Sequence, residues 1–126
     1  MSLCLAAGAL SAAISVQAFT LAWVHSVQKT RWEEDWQLVA GQLVLRAARI
    51  QGTGAGMEPP ENAEFRDGQW HYLPTVAPQR IVRLSHSPYT AGYQLCNAGK
   101  CQPLADALPG IDDTAIIELT ACDRHE

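Results

Sequence analysis

Apolar residues return at every second position over most of this chain, which is the period of a half-buried strand. The clearest runs are 19–27, 32–40 and 42–51. In them Phe19, Leu21 and Trp23, then Trp32, Trp36 and Leu38, then Leu43 and Leu45 alternate with other residues. Shorter runs at 3–7, 12–17, 62–66, 69–73, 80–86, 91–96, 101–104 and 114–122 are separated by turn residues. No window carries a convincing helical period. Residues 103–112 have room for one short turn between Pro103 and Pro109. Many short strands at this spacing predict an all-β single domain, an antiparallel β-sandwich or partly open barrel built from hairpins.

Turn residues propose the registers. Asp67-Gly68 suits a two-residue type I′ loop that sets Phe65 against Trp70. Ala40-Gly41 turns run 32–40 into run 42–51, with Leu38 beside Leu43 and Trp36 beside Leu45. Folding 19–27 onto 32–40 about Gln28-Lys29-Thr30-Arg31 places Trp23 opposite Trp36, Leu21 opposite Leu38, and His25 opposite Glu34 on the apolar face. Carried further, the second hairpin sets Glu34 by Ala47 and Arg49 by Trp32, diagonal to Glu34 and within reach of long side chains. A change of phase between Val16 and Phe19 predicts a bulge or break near Gln17-Ala18.

These registers bring His25, Glu34 and Arg49 to one end of a three-stranded sheet. The chain then leaves through a loop with Gly52, Gly54 and Gly56 at alternate positions, where backbone N–H groups can approach an anion closely. The functional reading is a site for a small carboxylate or phosphate, with His25, Glu34, Arg49, Gly54 and Gly56 as its binding residues. The structural reading is a buried ion-pair network that fixes strand register, with glycines that only make a turn. The loop is not a phosphate-binding fingerprint, because Pro59-Pro60 stops any following helix. A serine hydrolase is disfavoured: His25 and Ser26 are adjacent on a strand and point to opposite faces. A metal site from His25, Glu34 and His86 has no supporting ligand spacing, so no metal and no cofactor is expected. Glu33 and Asp35 face away from the apolar side and read as solvated. Trp70, Tyr72, Tyr89 and Tyr93 read as core.

Composition narrows the field. With 126 residues the chain is long enough for one core and not for two. A net charge of −4 without any basic run argues against nucleic acid as a partner. No uninterrupted apolar stretch reaches the roughly 18 residues of a membrane span. Residues 1–18 are read as a first hairpin rather than a cleaved signal peptide, since no Lys or Arg precedes the apolar part and Ile14 and Val16 alternate with polar neighbours. There are four cysteines. Cys96 and Cys101 flank Asn97-Ala98-Gly99-Lys100, a four-residue hairpin loop that sets them face to face as a candidate disulfide. Cys4 and Cys122 can pair if the first and last strands are neighbours. In a reducing cytosol all four would remain thiols. A zinc site is the other reading of Cys96 and Cys101, against which stands the lack of a second tight pair.

Trp23-Val-His-Ser-Val27, Trp32-Glu-Glu-Asp-Trp36, Gly52-Thr-Gly-Ala-Gly-Met-Glu-Pro-Pro60 and Leu95-Cys-Asn-Ala-Gly-Lys-Cys101 occur in that order. Together they resemble domain-of-unknown-function family 1850, from about Leu3 to Cys122. The resemblance implies a small bacterial protein associated with TRAP transporters of the TAXI type, and no established activity. It implies a transporter permease or solute-binding subunit as partner. Short members share the Leu-Cys-Leu-Ala start, which favours the hairpin. Others carry a membrane anchor ahead of the domain, which favours a place outside the cytoplasm. The family's Thr-His-Ser is Val24-His25-Ser26 in this chain, so a hydroxyl before the histidine is not required. The expected function is therefore a non-enzymatic accessory or small-anion-binding domain at a membrane transport system, in the cytoplasm or at the membrane. The alternatives are a hydrolase or metal-dependent enzyme using His25 and Glu34, and a purely structural interaction module.

Overall fold

The computed structural model describes residues 1–24, 30–52, 62–85 and 92–123. Among them the alternating runs form strands β1 (Ser2–Ala7), β2 (Leu10–Ile14), β3 (Ala18–Val24), β4 (Arg31–Val39), β5 (Gln42–Gln51), β6 (Glu64–Arg66), β7 (Gln69–Tyr72), β8 (Ile81–Ser85), β9 (Gln94–Asn97), β10 (Lys100–Pro103) and β11 (Ile116–Cys122). A single 3-10 turn, Leu104–Ala107, lies between the two prolines. The strands make two antiparallel sheets, one ordered β2-β1-β11-β8 and the other β10-β9-β3-β4-β5-β7-β6. The sheets do not close into a barrel; the fold is an all-β sandwich.

Inward-facing residues of both sheets supply the core. Leu3 and Leu5 of β1, Leu84 of β8, and Ile117 and Leu119 of β11 meet Phe19, Leu21, Trp36, Leu38, Leu43, Leu45 and Leu95 of the wider sheet. Leu104 and Leu108, from the 3-10 turn and just beyond it, close one side and are buried. Such burial of branched apolar side chains contributes about 1.5–3 kcal/mol each. The phase break after Val16 is where the chain crosses from one sheet to the other, between Ile14 and Ala18.

The short turns take the conformation their residues favour. Ala40-Gly41 has φ of 51° and 80°, and Asp67-Gly68 has φ of 54° and 76°. Both dipeptides are thus left-handed at both positions, as a type I′ loop requires. The first sets Leu38 opposite Leu43 and Trp36 opposite Leu45. The second sets Phe65 opposite Trp70, with the rings 5.1 Å apart. Around the predicted four-residue loop, Asn97 and Lys100 are themselves paired, so the turn shortens to Ala98-Gly99.

Two registers differ from the sequence-based expectation. β3 is displaced by four residues along β4: Trp23 faces Trp32, Leu21 faces Glu34 and Phe19 faces Trp36. An even displacement keeps every side chain on its face, so alternation cannot detect it. Cross-strand pairs favour the observed register. Trp23 and Trp32 stack with centroids 6.1 Å apart, and Thr20 Oγ1 donates to Asp35 Oδ1 at 2.7 Å. Between β4 and β5 a bulge interrupts the ladder. Trp36 pairs Leu45 but Asp35 pairs Ala47, which leaves Arg46 as the extra residue. Beyond it Glu34 faces Ala48 and Glu33 faces Arg49. Arg49 is therefore on the outer face rather than beside Trp32 on the apolar one.

Candidate functional site

The three consecutive acids of β4 divide between the two faces of the sheet. Outward, Arg49 Nε donates to Glu33 Oε1 at 2.9 Å. Its Nη1 and Nη2 grip the two oxygens of Asp35 at 2.7 and 2.8 Å. Arg31 Nε donates to the second Glu33 oxygen at 2.9 Å. Thr20, Asp35, Arg49, Glu33 and Arg31 thus form one network across β3, β4 and β5. The fork geometry is the strong form of a charge-assisted pair. Burial pushes the Glu33 carboxyl up, but Arg49 and Arg31 outweigh it and hold it below its ordinary value. Asp35 is held low chiefly by the Arg49 hydrogen bonds, against burial and with help from Thr20. Arg49 is held even more firmly protonated by Asp35 and Glu33.

Inward, Glu34 meets a different environment. Reading across the wide sheet on its core face, Tyr93 adjoins β9, Trp23 comes from β3, Trp32 and Glu34 from β4, Ile50 from β5, and Trp70 and Tyr72 from β7. All except Ile50 are half-buried. Trp23 stacks on Trp32, and Tyr93 tilts against Trp23 with centroids 5.5 Å apart. Among the described residues the donor to Glu34 is the Trp36 indole, Nε1 to Oε1 at 3.3 Å, and no arginine or lysine pairs with it. Burial raises the Glu34 pKa, only partly offset by that indole. Tyr72 and Tyr93 are raised as well, first by burial and then by the Glu34 charge.

The expected site is therefore split. Glu34 and Arg49 occupy opposite faces, and the residue across β3 from Glu34 is Leu21. His25, Gly54 and Gly56 lie outside the described residues, as do His86 and Tyr89. Glu33 and Asp35, assigned to solvent from the sequence, are the partners of Arg49. The missed signal was the phase of β5: Leu43 and Leu45 are apolar at odd positions, Ala48 and Ile50 at even ones. That switch locates the bulge and turns Arg49 outward. Trp70, Tyr72 and Tyr93 are half-buried rather than sealed in the core, and the two tyrosines feel the Glu34 charge. Among the described residues no group of three or more His, Cys, Asp or Glu gathers in a form that holds a metal. Cys96 and Cys101 face each other with Cα atoms 4.0 Å apart and are joined by a disulfide. A second joins Cys4 to Cys122. No helix among the described residues is long and apolar enough to cross a membrane.

Fold and site define an all-β sandwich with a neutralised charge network on one face and an acid among aromatic rings on the other. Residues 19–104 match the domain of unknown function DUF1850, and the chain belongs to that family. No curated protein and no solved structure matches the chain. The matched segment spans β3 to β10.

Proposed function

We propose that this protein is a non-enzymatic accessory domain of a bacterial TRAP transport system of the TAXI type, and that it binds a small ligand at the Glu34 end of the wide sheet. The observation that carries the binding role is Glu34 itself. A carboxylate half-buried among rings without a cationic partner among the described residues costs stability. Perturbed groups of this kind concentrate where function needs them. Stacked rings beside the acid suit recognition better than the hydrolytic or metal-dependent alternatives. The transporter setting rests on the Trp23–Val27, Trp32–Trp36 and Leu95–Cys101 motifs and their family resemblance.

The same geometry argues against Arg49 as the ligand's partner. A carboxylate or phosphate there would have to displace Asp35 from both terminal nitrogens and compete with Glu33 at the third. The transporter association is tested by isolating the tagged full-length chain from its native membranes. A TRAP permease or a TAXI solute-binding subunit should co-purify. Recovery of folded protein with neither subunit overturns that association.

A further inference from the structure

We infer that Glu34, with Trp23, Trp32, Tyr72 and Tyr93, forms a subsite for a methylated organic ammonium cation. The inference rests on the Glu34 end being the ligand seat, but it requires no transporter. Four observations support it. First, Glu34 brings a negative charge to this face, whereas its neighbours Glu33 and Asp35 are neutralised on the other. An anionic ligand would meet repulsion there, and a cation attraction. Second, aromatic rings share the face with that charge: Trp23 and Trp32 lie stacked with an interplanar angle of 21°, and Tyr93 packs on Trp23. Ring faces attract a cation held within about 6 Å of the ring centroid, the more strongly the drier the site.

Third, hydrogen-bonding capacity selects among cations. A primary ammonium brings three donors that must all be satisfied when water is removed. Glu34 has one oxygen engaged by the Trp36 indole, and its direct cross-strand neighbours, Leu21 and Ala48, bring no side-chain acceptor. A quaternary or methylated ammonium has few or no donors to satisfy and presents a weakly hydrated, apolar surface. Fourth, a divalent metal would need further carboxylates or imidazoles, and no such group of three gathers among the described residues. The rings come from β3, β4, β7 and the entry to β9, so the rigid sheet fixes their spacing before any ligand arrives.

The probe is choline chloride, followed by calorimetry and tryptophan fluorescence on the full chain. Sodium chloride supplies the matched ionic strength. The neutral isostere 3,3-dimethylbutanol, glucose and sodium phosphate are run alongside. Choline should bind and perturb tryptophan emission, and the neutral isostere should bind at least about tenfold more weakly, a difference of about 1.4 kcal/mol. Glu34→Gln should keep the fold and lose at least about the same factor for choline. Equal binding of choline and its isostere overturns the inference, as does full choline affinity in Glu34→Gln. The isostere comparison uses unaltered protein, so the test stands even if the variant misfolds. Glucose or phosphate binding that depends on Glu34, without choline binding, overturns the cation inference and leaves the ligand seat intact. Binding of none of the probes overturns both.

Discussion

Glu33, Glu34 and Asp35 are the same chemistry three times in succession, and their surroundings give them opposite consequences for stability. Glu33 and Asp35 have pKa values below the ordinary carboxylate range. Their stabilisation is present above that range and is lost as pH falls through their lowered folded values. Glu34 is raised. Its ionisation opposes folding above the ordinary range, and the penalty disappears once acid protonates it. Asp35→Asn should therefore cost about 1–3 kcal/mol at neutral pH, the range for a hydrogen-bonded charge reduced by partial exposure. That cost should shrink as pH falls below the ordinary carboxylate range and through the lowered Asp35 value. Glu34→Gln should be neutral or stabilising at neutral pH and converge on wild type in acid. Urea unfolding across this pH interval measures both. A Glu34→Gln protein less stable than wild type at neutral pH would mean that the carboxylate holds a structural cation, and the ligand reading would fail.

At the scale of elements, the bulge in β5 decides which residues meet. Arg46 is the unpaired residue. Its removal leaves Leu45 inward, Ala47 outward, Ala48 inward and Arg49 outward, so every downstream side chain keeps its face. Deleting Arg46 should cost less than about 2 kcal/mol, mainly in lost twist and the exposed Gln37 contact. Deleting Val44 instead drives Leu45 outward and Arg46 inward, and should prevent stable folding, since an unpaired buried charge is far more costly. Similar losses from both deletions would refute the bulge. This element also shows what the sequence made legible. The described strands in outline and the turns at Ala40-Gly41 and Asp67-Gly68 follow from alternation and left-handed dipeptides, because both are local, although the run expected at 12–17 is a strand at Leu10–Ile14. The β3–β4 register does not, because shifts by even numbers are degenerate in alternation, and it takes specific pairs such as the Trp23–Trp32 stack and the Thr20–Asp35 bond to break the tie. The candidate site inherited that error: Glu34 was legible as an acid on the apolar face, but its neighbours were not. The pairing of Arg49 with Asp35 needed the phase switch after Leu45 to be read as a bulge.

At the scale of the whole molecule, the two sheets are closed by very different stretches of chain. The wide sheet places β3, β4 and β5 side by side in sequence order. The narrow sheet joins the hairpin of β1 and β2 to β11 and β8, so its central pairing, Leu5 with Leu119, brings the two ends of the domain together. Ordering such distant strands carries a large loop-closure cost. The Cys4–Cys122 disulfide spans 118 residues and removes much of that cost from the unfolded chain, whereas Cys96–Cys101 spans only 5 and ties a hairpin that its turn already forms. The chain-entropy account assigns about 4–5 kcal/mol to a loop of the first size and less than about 3 kcal/mol to one of the second. A Cys4→Ser/Cys122→Ser double variant should therefore unfold at a clearly lower denaturant concentration than Cys96→Ser/Cys101→Ser, with the latter closer to wild type. The reverse order would mean that the small loop, and not the meeting of the chain ends, limits the stability of the sandwich.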